Sequence, residues 1–260
     1  MIFILGQGME MKNEFRASVY TSQNIGTPHT GRGLWRVLDD PLIEPRRFGS
    51  TERAPIDYTP QNFNSACKIY SAEGILFVRG ARNNFKAMFS ELDGTLAKWT
   101  FWWSLDATAG PSYDQWPDWL CRLSADLPPH YGFACSVAEY EAKHKVVEAD
   151  ETGSSVQMAG VSAADFLKFL PGIYWLTIFG KDLAGHFDLK LQSLPGVQHI
   201  GIPPSQVAMM LESPAVPASM KERLDTEARL VESLGAQHFF DHARNEGEYA
   251  PVSHLLNLKG

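Results

Sequence analysis

The sequence predicts an α+β fold: a mixed or antiparallel central sheet with helices packed on it, in a single globular domain with a long N-terminal loop region. Three observations predict it. The stretch 170–180, LPGIYWLTIFG, runs from Ile173 to Phe179 without a charge between a Pro-Gly pair and Gly180. It is too short for a helix buried on all sides and rich in strand formers, so it reads as a central strand covered on both faces. Two further short apolar runs, 74–79 (GILFVR) and 97–105 (AKWTFWWSL), read as buried strands, the second following an Asp93-Gly94 turn. The stretch 217–234 carries the longest helical pattern, with Met220, Leu224, Ala228 and Val231 on one face and Gly235 as C-cap.

The elements follow in order. One strand is expected near Arg16 to Tyr20. Residues 26–60, rich in Gly, Pro and Arg, show no sustained period and read as loop with a helical turn near Leu34 to Leu38, pinned by Trp35, Leu42 and Phe48. In 97–105, alternation puts Trp99, Phe101 and Trp103 on one face and Trp102 on the other. There Trp102 either packs as core or joins an exposed aromatic patch of the kind interfaces use. A helix over 113–127 stops at Pro128-Pro129. A strand follows over 131–137, then a mostly polar helix over 137–147. The acidic, then small stretch 148–155 (EADETGSS) reads as a linker. Ser162 caps a short helix with Asp165 at its third position. Beyond Gly180 come a helical turn or two over 181–187, a loop or strand over 197–202, a strand over 205–211 and a last strand over 238–241. The expected organisation is 1–60 extended, 61–150 and 151–241 as two βα parts of one domain, and 242–260 as tail.

Composition narrows the function classes. The chain has 260 residues, 44% apolar and 20% charged, with a net charge of −7, so it can bury a sizeable core and is not disordered. An acidic balance argues against direct, sequence-independent binding of nucleic acid and favours a basic partner. Three unpatterned cysteines, Cys67, Cys121 and Cys135, suit a reducing compartment. The opening MIFILGQGMEMKNE lacks the positive region and cleavage pattern of a signal peptide, and Met9 and Met11 are alternative starts. A cytoplasmic location is expected.

No catalytic, cofactor or metal constellation is legible. No GxGxxG, GKS/GKT or GxSxG occurs. His238 and His242 stand at a spacing that grips metal on a helix, but HFFDH lacks the zincin glutamate and reads as two surface histidines. Paired acids such as Asp39-Asp40 lie in loop-like stretches. The chain is therefore expected not to be an enzyme and to need no cofactor.

The segment LPGIYWLTIFGKDLAGHF resembles the PG-x-YW-L-x-x-FG segment of the type VI immunity proteins grouped as DUF3396 and of the related immunity protein 52 family. The order around it is similar too: PRRFG at 45–49, a QWPDW helix, a YGFA strand and a long C-terminal helix; the likeness itself spans 56–241. The resemblance implies an α+β protein that binds and neutralises a cognate bacterial toxin encoded beside it, often a nuclease, by occluding its active cleft. A cytoplasmic antidote fits a nuclease target, and an acidic antidote fits a basic toxin. Candidate toxin contacts are Arg46 and Arg47, Trp102, and the acidic Glu148, Asp150 and Glu151. The alternatives are a hydrolase with a site assembled from dispersed His, Asp and Tyr, or a phage-related assembly module.

Overall fold

Every second residue of the strands at the middle of this protein is aromatic or aliphatic and dry, and that alternation builds the fold. The computed structural model describes residues 14–81, 85–92, 95–104, 115–150, 153–158, 160–202, 206–211, 220–244 and 246–258. In chain order the elements are β1 (Glu14–Thr21), α1 (Pro28–Leu38), β2 (Pro45–Gly49), β3 (Ile56–Asp57), α2 (Phe63–Glu73), β4 (Ile75–Gly80), β5 (Phe85–Leu92) and β6 (Leu96–Ser104). There follow α3 (Gln115–Asp126), β7 (Tyr131–Ser136), α4 (Val137–His144), β8 (Lys145–Asp150), β9 (Gly153–Met158) and α5 (Ala163–Phe166). The chain continues through β10 (Leu176–Phe179), α6 (Lys181–Gln192), β11 (Val197–Ile202), β12 (Gln206–Leu211) and α7 (Met220–Leu234).

Ten of these strands form one antiparallel sheet in the order β11-β12-β10-β7-β1-β6-β5-β4-β2-β3, while β8 and β9 form a separate hairpin. The fold is α+β, as the sequence predicts. One sheet face carries Phe15, Val19, Phe85, Phe89, Trp99, Phe101 and Trp103, all buried. Trp116 and Trp119 of α3 close over them, with ring centroids 4.2 Å (Trp103–Trp116) and 5.2 Å (Phe101–Trp119) apart. Each such aromatic removes well over a hundred square ångströms from water, so this layer dominates the apolar burial. Trp119 Nε1 donates to the Val37 carbonyl at 3.2 Å, tying α3 to α1.

Several expectations are corrected. Residues 26–60 are not mainly loop: Thr27 caps α1 by accepting from the Thr30 amide, Pro28 is pre-set for the first turn, and β2 joins the sheet against β4. The Gly, Pro and Arg content there hides one helix of 11 residues and two short strands. Trp35 and Phe48 are buried pins, as expected. The helix α2 and the strand β5 had no counterpart in the sequence reading. Residues 148–155 are not a linker. Lys145 pairs with Met158 and Asp150 with Gly153, a ladder that Val146, Val147 and Val156 favour. Residues 238–241 hold a turn of 3-10 helix (Ala236–His238) and one bridge, Leu170 to Phe239, not a strand.

The stretch 170–180 is buried throughout from Leu170 to Phe179 apart from half-buried Gly172, but only Leu176–Phe179 is strand, and it lies third from one end of the sheet, not at its centre. The reason is local. The Tyr174 amide donates to Thr177 Oγ1 at 3.0 Å and the Trp175 amide to Glu139 Oε1 at 3.1 Å, so side chains take donors that a neighbouring strand would otherwise need. Gly180 ends the strand where its amide donates to the His130 carbonyl at 2.9 Å. A Cβ there would meet the carbonyl oxygens of Pro129 at 2.1 Å and His130 at 2.7 Å, both backbone. Gly180→Ala is therefore expected to lower stability by about 1–3 kcal/mol or more. Gly185→Ala, inside α6 with open space around it, should raise it by about 0.5–1 kcal/mol. Urea denaturation of the two variants checks both signs.

Candidate functional site

The structure distributes the sequence-predicted contact residues unevenly. Arg46 is exposed and pairs with Glu44. Glu148 and Asp150 lie in β8, and Glu151 lies outside the described residues. Arg47 and Trp102, 55 positions apart in sequence, fall on one row of one sheet face. Register makes the row: Arg47 faces Arg79, Arg79 faces Lys86, Lys86 faces Trp102, and Trp102 faces Arg16, across β2, β4, β5, β6 and β1. Directly opposed residues of antiparallel strands point to the same side, so the five side chains share one face over about 19 Å.

This is the face opposite the Trp103–Trp116 layer. In β4 and β5 buried residues alternate with half-buried ones, and the half-buried set includes Ile75, Phe77, Arg79, Lys86, Met88 and Ser90. Over β1 the same face is covered: Tyr20 stacks on Phe166 of α5 at 4.4 Å and donates to the Val161 carbonyl at 2.8 Å. Trp102 sits between two cations, with Arg16 5.4 Å and Lys86 5.1 Å from its ring centroid, and Arg16 also lies 3.8 Å from the Tyr140 ring. Arg47 meets Asp57 at 3.8 Å and Arg79 meets Glu52 at 3.5 Å, both partly solvated. Lys98 belongs to the same face. Burial, and then the neighbouring Arg16 charge, push its ammonium down to about 7, and its Nζ donates to the Val161 carbonyl. The Arg16 and Lys98 charges on this face thus oppose each other.

A second, buried polar cluster lies behind the Pro-Gly-Ile-Tyr-Trp turn. Lys143 Nζ meets Glu227 Oε2 at 2.5 Å and Glu139 Oε1 at 3.5 Å, donates to the Ile173 carbonyl, and lies 3.8 Å from the Tyr174 ring centroid. Tyr174 hydroxyl contacts His144 Nε2 at 2.6 Å and donates to the Pro171 carbonyl at 3.2 Å. The two carboxylate side chains are only 6% and 4% exposed. Burial pushes Glu227 up to about 8 against the lowering pull of Lys143. Perturbed carboxylates often mark active sites, but here the groups bind α4, α7 and the backbone of the turn to each other. This corrects the expected face of α7: Arg223, Glu227, Leu230 and Leu234 are buried, rather than Met220, Leu224, Ala228 and Val231. Leu230 and Leu234 enter the apolar core while Glu227, one turn earlier on the same face, meets the Lys143 ammonium.

His238 and His242 do not act together: His238 packs against His186 and Phe187, while His242 contacts the Lys143 carbonyl at 2.9 Å. Among the described residues no group of three or more His, Cys, Asp or Glu could hold a metal ion, and no helix is long and apolar enough to cross a membrane. Cys67, Cys121 and Cys135 are free thiols. The sequence reading missed Arg16, Arg79 and Lys86. The available signal was the alternation within each strand, but assembling the row requires the pairing order.

No family model matches the chain, and no curated protein matches it. Among solved structures, a T6SS protein of Pseudomonas aeruginosa superposes with a TM-score of 0.49 at 13% identity, over 85% of this chain and 72% of that one.

Two pH dependences follow. The Glu227 carboxyl is raised in the folded state, so the native protein binds more protons than the unfolded chain between about pH 4.5 and 8, and its stability falls as pH rises through that window. Glu227→Gln is expected to flatten the slope of unfolding free energy against pH from 5 to 8, by up to about 1.4 kcal/mol per pH unit. An unchanged slope would contradict this. The Lys98 ammonium is lowered instead, so its penalty is complete below about pH 7 and lifts as pH rises toward 10.5. Lys98→Met should therefore raise the melting temperature more at pH 6 than at pH 10, and an equal change at both would refute it.

Proposed function

We propose that this protein is an immunity protein that binds and neutralises a cognate bacterial toxin, and that the Trp102 face is the surface that covers the toxin. The observation that carries a protein-binding reading is Trp102 held half-buried between Arg16 and Lys86 on a sheet face that also bears Phe77 and Met88. Aromatic residues, Met and Arg are the residue types that interface cores favour, and Trp and Arg are among the commonest energetic anchors. The immunity reading rests on the likeness of LPGIYWLTIFG to the DUF3396 and immunity protein 52 segment. The structure gives that segment a defined task, because its turn is bound to α4 by Glu139 and Lys143.

The mechanism is occlusion without chemistry. A rigid sheet face loses little conformational freedom on binding, and an interface of ordinary size, about 800 Å² per partner, would cover a toxin's cleft. The protein acts in the cytoplasm, where a nuclease toxin would act.

Co-expression with the adjacent toxin gene is the direct test. Cells carrying both genes should grow, and cells carrying the toxin alone should not. Trp102→Ala should reduce protection and weaken toxin binding by about 2 kcal/mol or more, roughly thirtyfold, with the melting temperature little changed. Equal killing with and without this protein would end the immunity reading.

A further inference from the structure

The overall charge of −7 suggests a basic partner, but the contact face itself has the opposite character. Arg47, Arg79, Lys86 and Arg16 occupy four of the five positions in one cross-strand row. Among the described residues, Arg47 and Arg79 at one end of the row have carboxylate neighbours, Asp57 and Glu52, on the solvated side. Pairs that exposed contribute little and exchange readily. Arg16 and Lys86 form no ion pair with any described carboxylate; each rests on an aromatic ring instead. Arg16 Nε is shielded from water and has no hydrogen-bond acceptor among the described residues.

An unpaired guanidinium donor out of water costs free energy in the free protein. Lys98 lies on the same face, where Arg16 opposes its charge and, among the described residues, Asp165 of α5 favours it. Glu14, also half-buried on this face, sits opposite Ser104 at the end of β1, away from the Lys86 side of Trp102. An antiparallel sheet is ordinarily solvated on one face, and half-burial alone would need no partner. A solvated face, however, usually mixes charges of both signs. Here like charges flank a Trp, with Phe77 and Met88 two residues along the strands from Arg79 and Lys86 on the same face.

Resting on the toxin-binding reading above, we propose that the occupant of this face is a carboxylate-rich segment of the partner protein, lying across β4, β5 and β6. Its acidic side chains pair with Lys86 and Arg79, and one apolar side chain packs on Trp102. The partner is locally acidic where it touches this protein, whatever its overall charge. Carboxylates accept from Arg in bidentate fashion and release the mutual repulsion of the row. Phe77 and Met88 beside Trp102 favour a polypeptide with apolar side chains over nucleic acid, the other anion such a row could take.

The full chain is titrated at low salt with a fluorescein-labelled peptide of ten glutamates, a neutral peptide of ten glutamines, and a ten-nucleotide single strand. The glutamate peptide should bind and the glutamine peptide should not. Lys86→Glu should weaken the glutamate peptide about tenfold or more, Lys86→Arg should retain binding, and Lys221→Glu on α7 should change nothing. Equal binding by wild type and Lys86→Glu, or tighter binding of the oligonucleotide than of the peptide, overturns the proposal. Melting curves for each variant separate lost binding from lost fold. Lys86 is half-buried on an open face, which makes its reversal the safer variant than any change at Arg16. Co-expression with the toxin distinguishes the two readings. Full protection by Lys86→Glu removes the acidic-segment proposal and leaves immunity standing. Peptide binding through Lys86 without any protection removes the immunity reading and leaves the face.

Discussion

The packing of Phe15, Trp103, Trp116 and Trp119 on one side of the sheet is the constraint on which the remainder depends. Trp103 and Trp116 lie 4.2 Å apart, and Phe15 reaches Trp103, Trp116 and Trp175 within 6.0 Å. Side chains alternate strictly along a strand, so committing Trp99, Phe101 and Trp103 to this layer commits Lys98, Thr100 and Trp102 to the other face. A slip of one residue in β6 would exchange the two sets and expose three large aromatics. The aromatic core therefore does more than stabilise. It sets the register that brings residues from five strands into a single row.

The other face is divided by what packs on it. Over β1 it is sealed by α5, with Tyr20 and Phe166 stacked, and by Tyr140 of α4. α4 is held in turn by the Lys143 cluster, where Glu139 binds the Trp175 amide and Glu227 brings in α7. A buried ion cluster of this kind is weak evidence of stabilisation, because desolvation offsets attraction. Its value here is geometric: it ties a helix, a turn and a C-terminal helix at one point. The position of Tyr140, and with it that of Arg16 at the end of the row, follows from that point.

Much of the fold was legible because it followed from short-range rules. Alternation located the two faces of β6, Ser162 and Asp165 announced the capping box of α5, and Gly235 marked the end of α7. The failures have physical causes. Helix α1 begins on Pro28 and holds two glycines, both pressed against neighbours, so its propensity is poor and tertiary packing holds it. The hairpin β8–β9 reads as linker because acids and small residues dominate where its strands meet. The face of α7 was misjudged because apolar spacing cannot anticipate a buried lysine supplied by another helix. Of the candidate site, Trp102 and Arg47 were visible individually. Their alignment with Arg16, Arg79 and Lys86 depends on a strand order, β1-β6-β5-β4-β2, that no local pattern encodes.

The central claim is that the partner covers the Trp102 face, and side-chain resonances read it most directly. Titrating isotope-labelled protein with its purified toxin should shift and broaden the Trp102 indole N–H and the Met88 methyl. The buried indole signals of Trp116 and Trp119, behind the sheet, should stay in place. A complex that forms while Trp102 and Met88 remain unmoved, with the perturbation confined to the β8–β9 hairpin or to α7, would contradict the account.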